Sequence, residues 1–158
     1  MTDRLTSSTQ GIIGSHMMIE GALSRLNDAD LAFSPGGDNV TLGEIFKSFG
    51  DIQDSYNQSL KTFKQDWSKS ADNPEVTTNL DSLKAWFKQL AGEMRETLQS
   101  LTENDLQKPI DRGNNVIRTL DEQLEIYIQA LMIFFGKLVI YFRAMSKDLP
   151  PSIEQYIA

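Results

Sequence analysis

Residues 126–142 read IYIQALMIFFGKLVIYF, fourteen apolar side chains in seventeen, and a run that dense has two structural outcomes. One is a membrane span, which needs about 20 predominantly apolar residues and avoids central charge. This run is shorter and carries Gly136 and Lys137 near its middle. The other is the central helix of a bundle, apolar on every side because neighbours cover every side. Three further segments can supply those neighbours. Leu42, Ile45, Phe46, Phe49, Ile52, Tyr56, Leu60, Phe63 and Trp67 recur in steps of one, three and four, which places them on one broad helical face. Leu80, Leu83, Phe87, Leu90, Met94, Leu98 and Leu101 do the same, and Ile12, His16, Ile19, Leu23 and Leu26 form a weaker stripe. No segment alternates with a period of two. The expectation is an all-α, up-and-down four-helix bundle with helices near 4–27, 41–67, 78–102 and 119–146.

The helix boundaries carry their own signals. Thr41-Leu42-Gly43-Glu44 and Thr119-Leu120-Asp121-Glu122 both have the capping-box pattern, in which hydroxyl and carboxylate serve each other's backbone amides. Asn73-Pro74, Ser34-Pro35-Gly36-Gly37, Lys108-Pro109 and Arg112-Gly113-Asn114-Asn115 read as turns, and Pro150-Pro151 stops the last helix. Leu26-Asn27-Asp28-Ala29-Asp30-Leu31 is echoed 75 residues later by Leu101-Thr102-Glu103-Asn104-Asp105-Leu106. Each copy leads to a Thr-x-x-Glu cap, as two helical hairpins related by an internal repeat would.

At 158 residues, the chain is expected to form one domain over 1–158. It has no cysteine and one histidine, which removes thiolate metal sites, cysteine nucleophiles and every site that needs two imidazoles. A net charge of −7 repels phosphate backbones, so nucleic acid is not an expected partner. The polar first ten residues give no secretory signal, and the expectation is a soluble, cytoplasmic protein without membrane attachment. No GxSxG, GxxxxGK[ST] or GxGxxG run is present. Gly14-Ser15-His16-Met17 has the composition of an expression-tag scar, but thirteen other residues precede it and the helical register runs through it.

The stretch from Thr119 to Ser152, TLDEQLEIYIQALMIFFGKLVIYFRAMSKDLPPS, resembles the last helix of the DinB/YfiT-like family through Thr119-Leu120, Glu122, Gly136, Leu138, Tyr141, Arg143 and Pro150-Pro151. Thr41 to Asp51, TLGEIFKSFGD, is similar to the family's second helix, and Asp30-Leu31, Phe33 and Pro35 to the loop before it. The resemblance implies a four-helix bundle and a divalent metal on three histidines, used by some members for thiol-linked transfer or isomerisation in detoxification and stress. Carried onto this chain, the three ligand positions fall at Ser48, Ala130 and Phe134, which implies a degenerate metal site and no cofactor. Phe134 and Phe135 either fill the former cavity, the simpler outcome, or line an apolar pocket.

A replacement site would have to draw on His16, Glu44 and Asp51 around Ser48, Ala130 and Phe134. Each of the three has a plainer reading: a hydrogen-bonded interior histidine, a helix cap and a solvated helix edge. The expected function is a non-catalytic binding or assembly module, homodimeric through exposed parts of the last helix, with an unidentified small-molecule ligand. The alternative is a transferase, metal-dependent or not, with a rearranged pocket around His16.

Overall fold

In the computed structural model, which describes residues 3–157, the apolar stripes become four long helices. The element order is α1 (Arg4–Leu23), α2 (Asp28–Leu31), α3 (Leu42–Thr62), α4 (Leu80–Ser100), a hairpin of β1 (Pro109–Asp111) and β2 (Ile117–Thr119), α5 (Leu120–Ala144) and α6 (Pro151–Tyr156). Both anticipated capping boxes form. The Glu44 amide donates to Thr41 Oγ1 at 3.2 Å while the Thr41 amide donates to the Glu44 carboxylate at 2.8 Å. Thr119 and Glu122 repeat both bonds at the same distances. These satisfy amides that an α-helix leaves without partners at its N-terminus.

Two helices stop earlier than periodicity predicts. The first ends at Leu23 rather than near 27, because Asn27 and Asp30 build a capping box of their own and start α2. The second ends at Thr62 rather than 67, where Phe63 turns into the left-handed region (φ 57°). Residues 63–65 then run beside β1, the Gln65 amide donating to the Asp111 carbonyl at 2.7 Å and the Asp111 amide to the Phe63 carbonyl at 3.0 Å. Trp67, placed on the helical stripe by spacing alone, is 54% exposed. The hairpin itself replaces an expected plain turn: Pro109 pairs with Thr119, Ile110 with Arg118 and Asp111 with Ile117. Three-residue strands are too short to display a period of two.

The helix order differs from a simple up-and-down bundle. Thr97 of α4 donates to Asn57 of α3 at 2.6 Å, and Phe46 of α3 meets Phe87 of α4, so these consecutive long helices run parallel. Arg4 pairs with Asp121 and Glu125 at one end of α1 and α5, and Lys147 reaches the Arg25 carbonyl at the other, so these two are parallel as well. α1 packs on α4 and α5, and α3 packs on the same two helices; the directions are up, down, down, up. Residues 63–79 must therefore climb the full length of the bundle between α3 and α4. The crossover and α4 press closely on α3 at two glycines. A Cβ on Gly43 would lie 2.0 Å from the Thr77 carbonyl oxygen, and one on Gly50 2.3 Å from the Trp86 ring.

The internal echo is structural. The Asp28 carboxylate accepts from the Leu80 amide at the start of α4, and the Glu103 carboxylate accepts from the Leu5 amide at the start of α1, both at 2.7 Å. Donors and acceptors alike are 75 residues apart, so each hairpin caps the other under a pseudo-twofold exchange.

α5 is long and apolar enough by composition to cross a membrane. One side of it is built into the bundle, with Leu124, Tyr127, Leu131, Phe135, Leu138 and Phe142 fully enclosed against α1 and α3, while Met132, Ile133 and Ile140 on its other side are exposed. At the lower end of the bundle a chain of buried polar side chains is matched, although the buried Asn57 Nδ2 beside it has no partner among the described residues. Arg112 donates to Gln123, Gln123 donates to Ser59 (2.7 Å) and Gln65, and Gln65 donates to Ser55 (2.6 Å). The Arg112 guanidinium also lies 5.6 Å and 5.5 Å from the Tyr56 and Trp67 ring centroids, which is cation–π range.

Candidate functional site: a groove between the first and third long helices

A groove of about 610 Å³ opens between α1 and α4, within the size range of small-molecule sites. Its inner wall is apolar, made by Ile19 and Leu23 from α1 and Phe87 from α4, all nearly fully buried. Small residues leave the space beside them. Ala91 and Gly92 face it from α4, and a Cβ added to Gly92 would meet no atom within 4 Å. Three cations stand at the rim: Lys84, Lys88 and Arg95, spaced by four and seven residues along one side of α4. Among the described residues none of the three belongs to an ion pair. Glu20 of α1 is the one carboxylate among the lining residues.

Two polar side chains reach the groove from inside. His16 Nε2 lies 2.9 Å from the Tyr127 hydroxyl of α5. Burial, reinforced by the positive charge of Arg95, pushes the His16 pKa down to about 4. Burial holds the Tyr127 phenol protonated well above its ordinary range, so a neutral imidazole meets a neutral phenol at pH 7. Gln53 of α3 also lines the groove. It is completely buried, yet among the described residues neither its Nε2 nor its Oε1 has a hydrogen-bond partner. Buried amides are otherwise almost always paired, and the Gln123 amide, equally buried, has all its partners.

The structure does not bring His16, Glu44 and Asp51 together; each is occupied separately. Glu44 caps α3. Asp51 pairs with Lys47 at 2.7 Å and accepts from the Ala71 amide at 2.7 Å, pinning the crossover to α3. Among the described residues no three His, Asp or Glu side chains converge. The positions that the family resemblance assigns to the metal do not fit a divalent ion. Ser48 is exposed, Ala130 is half-buried without a donor atom, and Phe134 is buried. The Phe134 ring stacks on Phe49 with centroids 4.2 Å apart and 9° between planes, and meets Phe46 edge-on. Phe134 therefore fills space, and the groove lies elsewhere.

Sequence reasoning singled out His16 but missed Gln53, Tyr127 and the α4 cations. One signal was present: Gln53 follows Phe49 by four residues and precedes Tyr56 by three, which puts an amide on an apolar face.

The fold is shared with solved structures. A DinB-like protein from Bacillus subtilis, YjoA, superposes with a TM-score of 0.75 at 14% identity, covering 91% of this chain and 96% of that one. YfiT from Bacillus subtilis, described as a probable metal-dependent hydrolase with an unusual four-helix bundle topology, gives a TM-score of 0.74 at 14% identity over 91% and 89% of the two chains. Among curated protein sequences none matches. Residues 14–132, most of the chain, match the DinB superfamily. With that match over most of its length and the same fold, this chain belongs to the DinB superfamily.

Proposed function

We propose that this protein is a DinB-superfamily domain that works without the family's metal, binding a small molecule in the groove between α1 and α4 as a non-catalytic module of the cytoplasm. The observation that carries the reading is Gln53, a completely buried amide lining the groove with no partner for either polar atom among the described residues. Leaving such groups unpaired costs about 1–3 kcal/mol each, a cost that an incoming hydrogen-bonding ligand removes. The metal-free part rests on Ala130 and on Phe134 packed against Phe49. The stress or detoxification setting rests on the family resemblance.

Metal content tests the first half. Protein incubated with nickel, zinc and manganese, then desalted, is expected to hold close to no metal by plasma mass spectrometry; one equivalent would overturn the proposal. The alternative, a transferase built around His16, has the imidazole in the groove, but a ring with its pKa near 4 is a weak base at neutral pH. Turnover that disappears in His16→Ala would favour that alternative. The homodimer would use Met132, Ile133 and Ile140 on the outer side of α5, exposed by 38%, 63% and 61%. A strictly monomeric species by sedimentation at high concentration would exclude it.

A further inference from the structure

Three cations, spread over about three turns of α4, line the groove in a protein whose net charge is −7. None of them is neutralised by an ion pair among the described residues, and only Glu20 offsets them among the lining residues. Like charges held on one side of one helix repel each other, and the low-dielectric wall of Ile19, Leu23 and Phe87 behind them strengthens the local field. An anion at the rim relieves that repulsion. The wall offers apolar contact, and two polar side chains stand in it: His16, already bonded to Tyr127, and Gln53, whose amide presents one unused acceptor and two unused donors. Rim, wall and amide together describe the chemistry of the occupant.

We infer that the α1/α4 groove of this chain takes an amphipathic carboxylate: an acid head at Lys84, Lys88 and Arg95, an apolar body along Ile19, Leu23 and Phe87, and an amide or similar polar group paired with Gln53. N-acylated amino acids belong to that class. The inference rests on the groove being a binding site, and it adds the sign of charge and the polarity of the occupant. No covalent step is involved.

The test uses the full chain and three probes with twelve-carbon tails, all below their micellar concentrations: N-dodecanoylglycine, its neutral glycinamide and the amide-free cation dodecyltrimethylammonium. Titration calorimetry is expected to show the carboxylate binding at least about tenfold more tightly than either control. That preference should shrink as salt rises. A Lys84→Gln/Lys88→Gln/Arg95→Gln variant, altered only at the rim, should lose the preference while still binding the tail. Gln53→Met should weaken the carboxylate probe about tenfold, and binding should shift the Gln53 side-chain amide resonances of the parent protein. Gly92→Trp, placed where an added side chain meets open space, should block all three probes.

Equal binding of the three probes, abolished by Gly92→Trp, would overturn the carboxylate assignment and leave the binding groove standing. Binding unaffected by Gly92→Trp would overturn both. Absence of binding by every probe up to about 1 mM would overturn the amphipathic class.

Discussion

Lowering the pH should destabilise this protein through its one histidine, and the size of the effect follows from where that ring sits. The His16 pKa is held near 4 in the fold, against an ordinary value of 6.5, first by burial and then by Arg95. As pH falls through 6.5 the unfolded chain takes up a proton on this ring while the folded chain does not. Stability is therefore complete above about pH 6.5 and declines below it, at about 1.4 kcal/mol per pH unit, until the folded ring titrates near 4. The whole loss is about 3 kcal/mol, a large share of the 5–15 kcal/mol that ordinarily separates folded from unfolded domains. Carboxylates held low by hydrogen bonds, such as Asp105 beside Lys108 and Thr102, also lose stability as acid protonates them, so the histidine has to be isolated by comparison. His16→Gln keeps a hydrogen-bonding partner for Tyr127 without a titrating ring. Urea unfolding of both proteins at pH 7.5, 6 and 5 should show the parent losing about 2 kcal/mol relative to the glutamine variant between pH 7.5 and 5. The chain has one histidine, so its imidazole proton resonances report the pKa without assignment. A ring that titrates near 6.5, or the same pH slope in both proteins, would refute the placement of His16 in an enclosed, neutral environment.

Three substitutions extend this reasoning. Gln53→Met removes a completely buried amide with two unpaired atoms at nearly constant volume, and should raise unfolding stability by about 1–3 kcal/mol; a lower stability in urea would mean the amide is satisfied in solution. Gly43→Ala drives a Cβ to within 2.0 Å of the Thr77 backbone oxygen and should cost about 3 kcal/mol, read as a shift of the denaturation midpoint without a change in slope. Gly92→Ala, on the open side of α4, should do the opposite and add about 1 kcal/mol through helix propensity, and a drop in thermal midpoint would count against the open groove.

Local structure was legible in the residues because the forces that set it are local. Thr41 with Glu44 and Thr119 with Glu122 make their bonds across three residues, and the 3–4 spacing of apolar side chains identifies a helix wherever its partner lies. The 75-residue echo was visible for the same reason, since each exit is a short cap of its own. The early end of α3 was not: Phe63 and Trp67 continue the stripe, and it is the hydrogen bonds to Asp111, 46 and 48 residues further on, that turn the backbone away. The parallel course of α3 and α4 was also invisible, because nothing in residues 63–79 records which end of the bundle they lead to.

The site divides along the same line. A single histidine in the sequence excludes three histidine ligands, and the 3–4 spacing places His16 on a helical face with apolar residues. It takes the packed helices to bring His16 to Tyr127 across 111 residues, to set Asp51 on the Ala71 amide 20 residues away, and to pack Phe134 solid while a groove opens beside α4. Hydrogen-bond caps and helical periodicity are short-range properties of the chain. A cavity is what remains after four helices have settled their distances and crossing angles, and its walls come from α1, α3 and α4 at once.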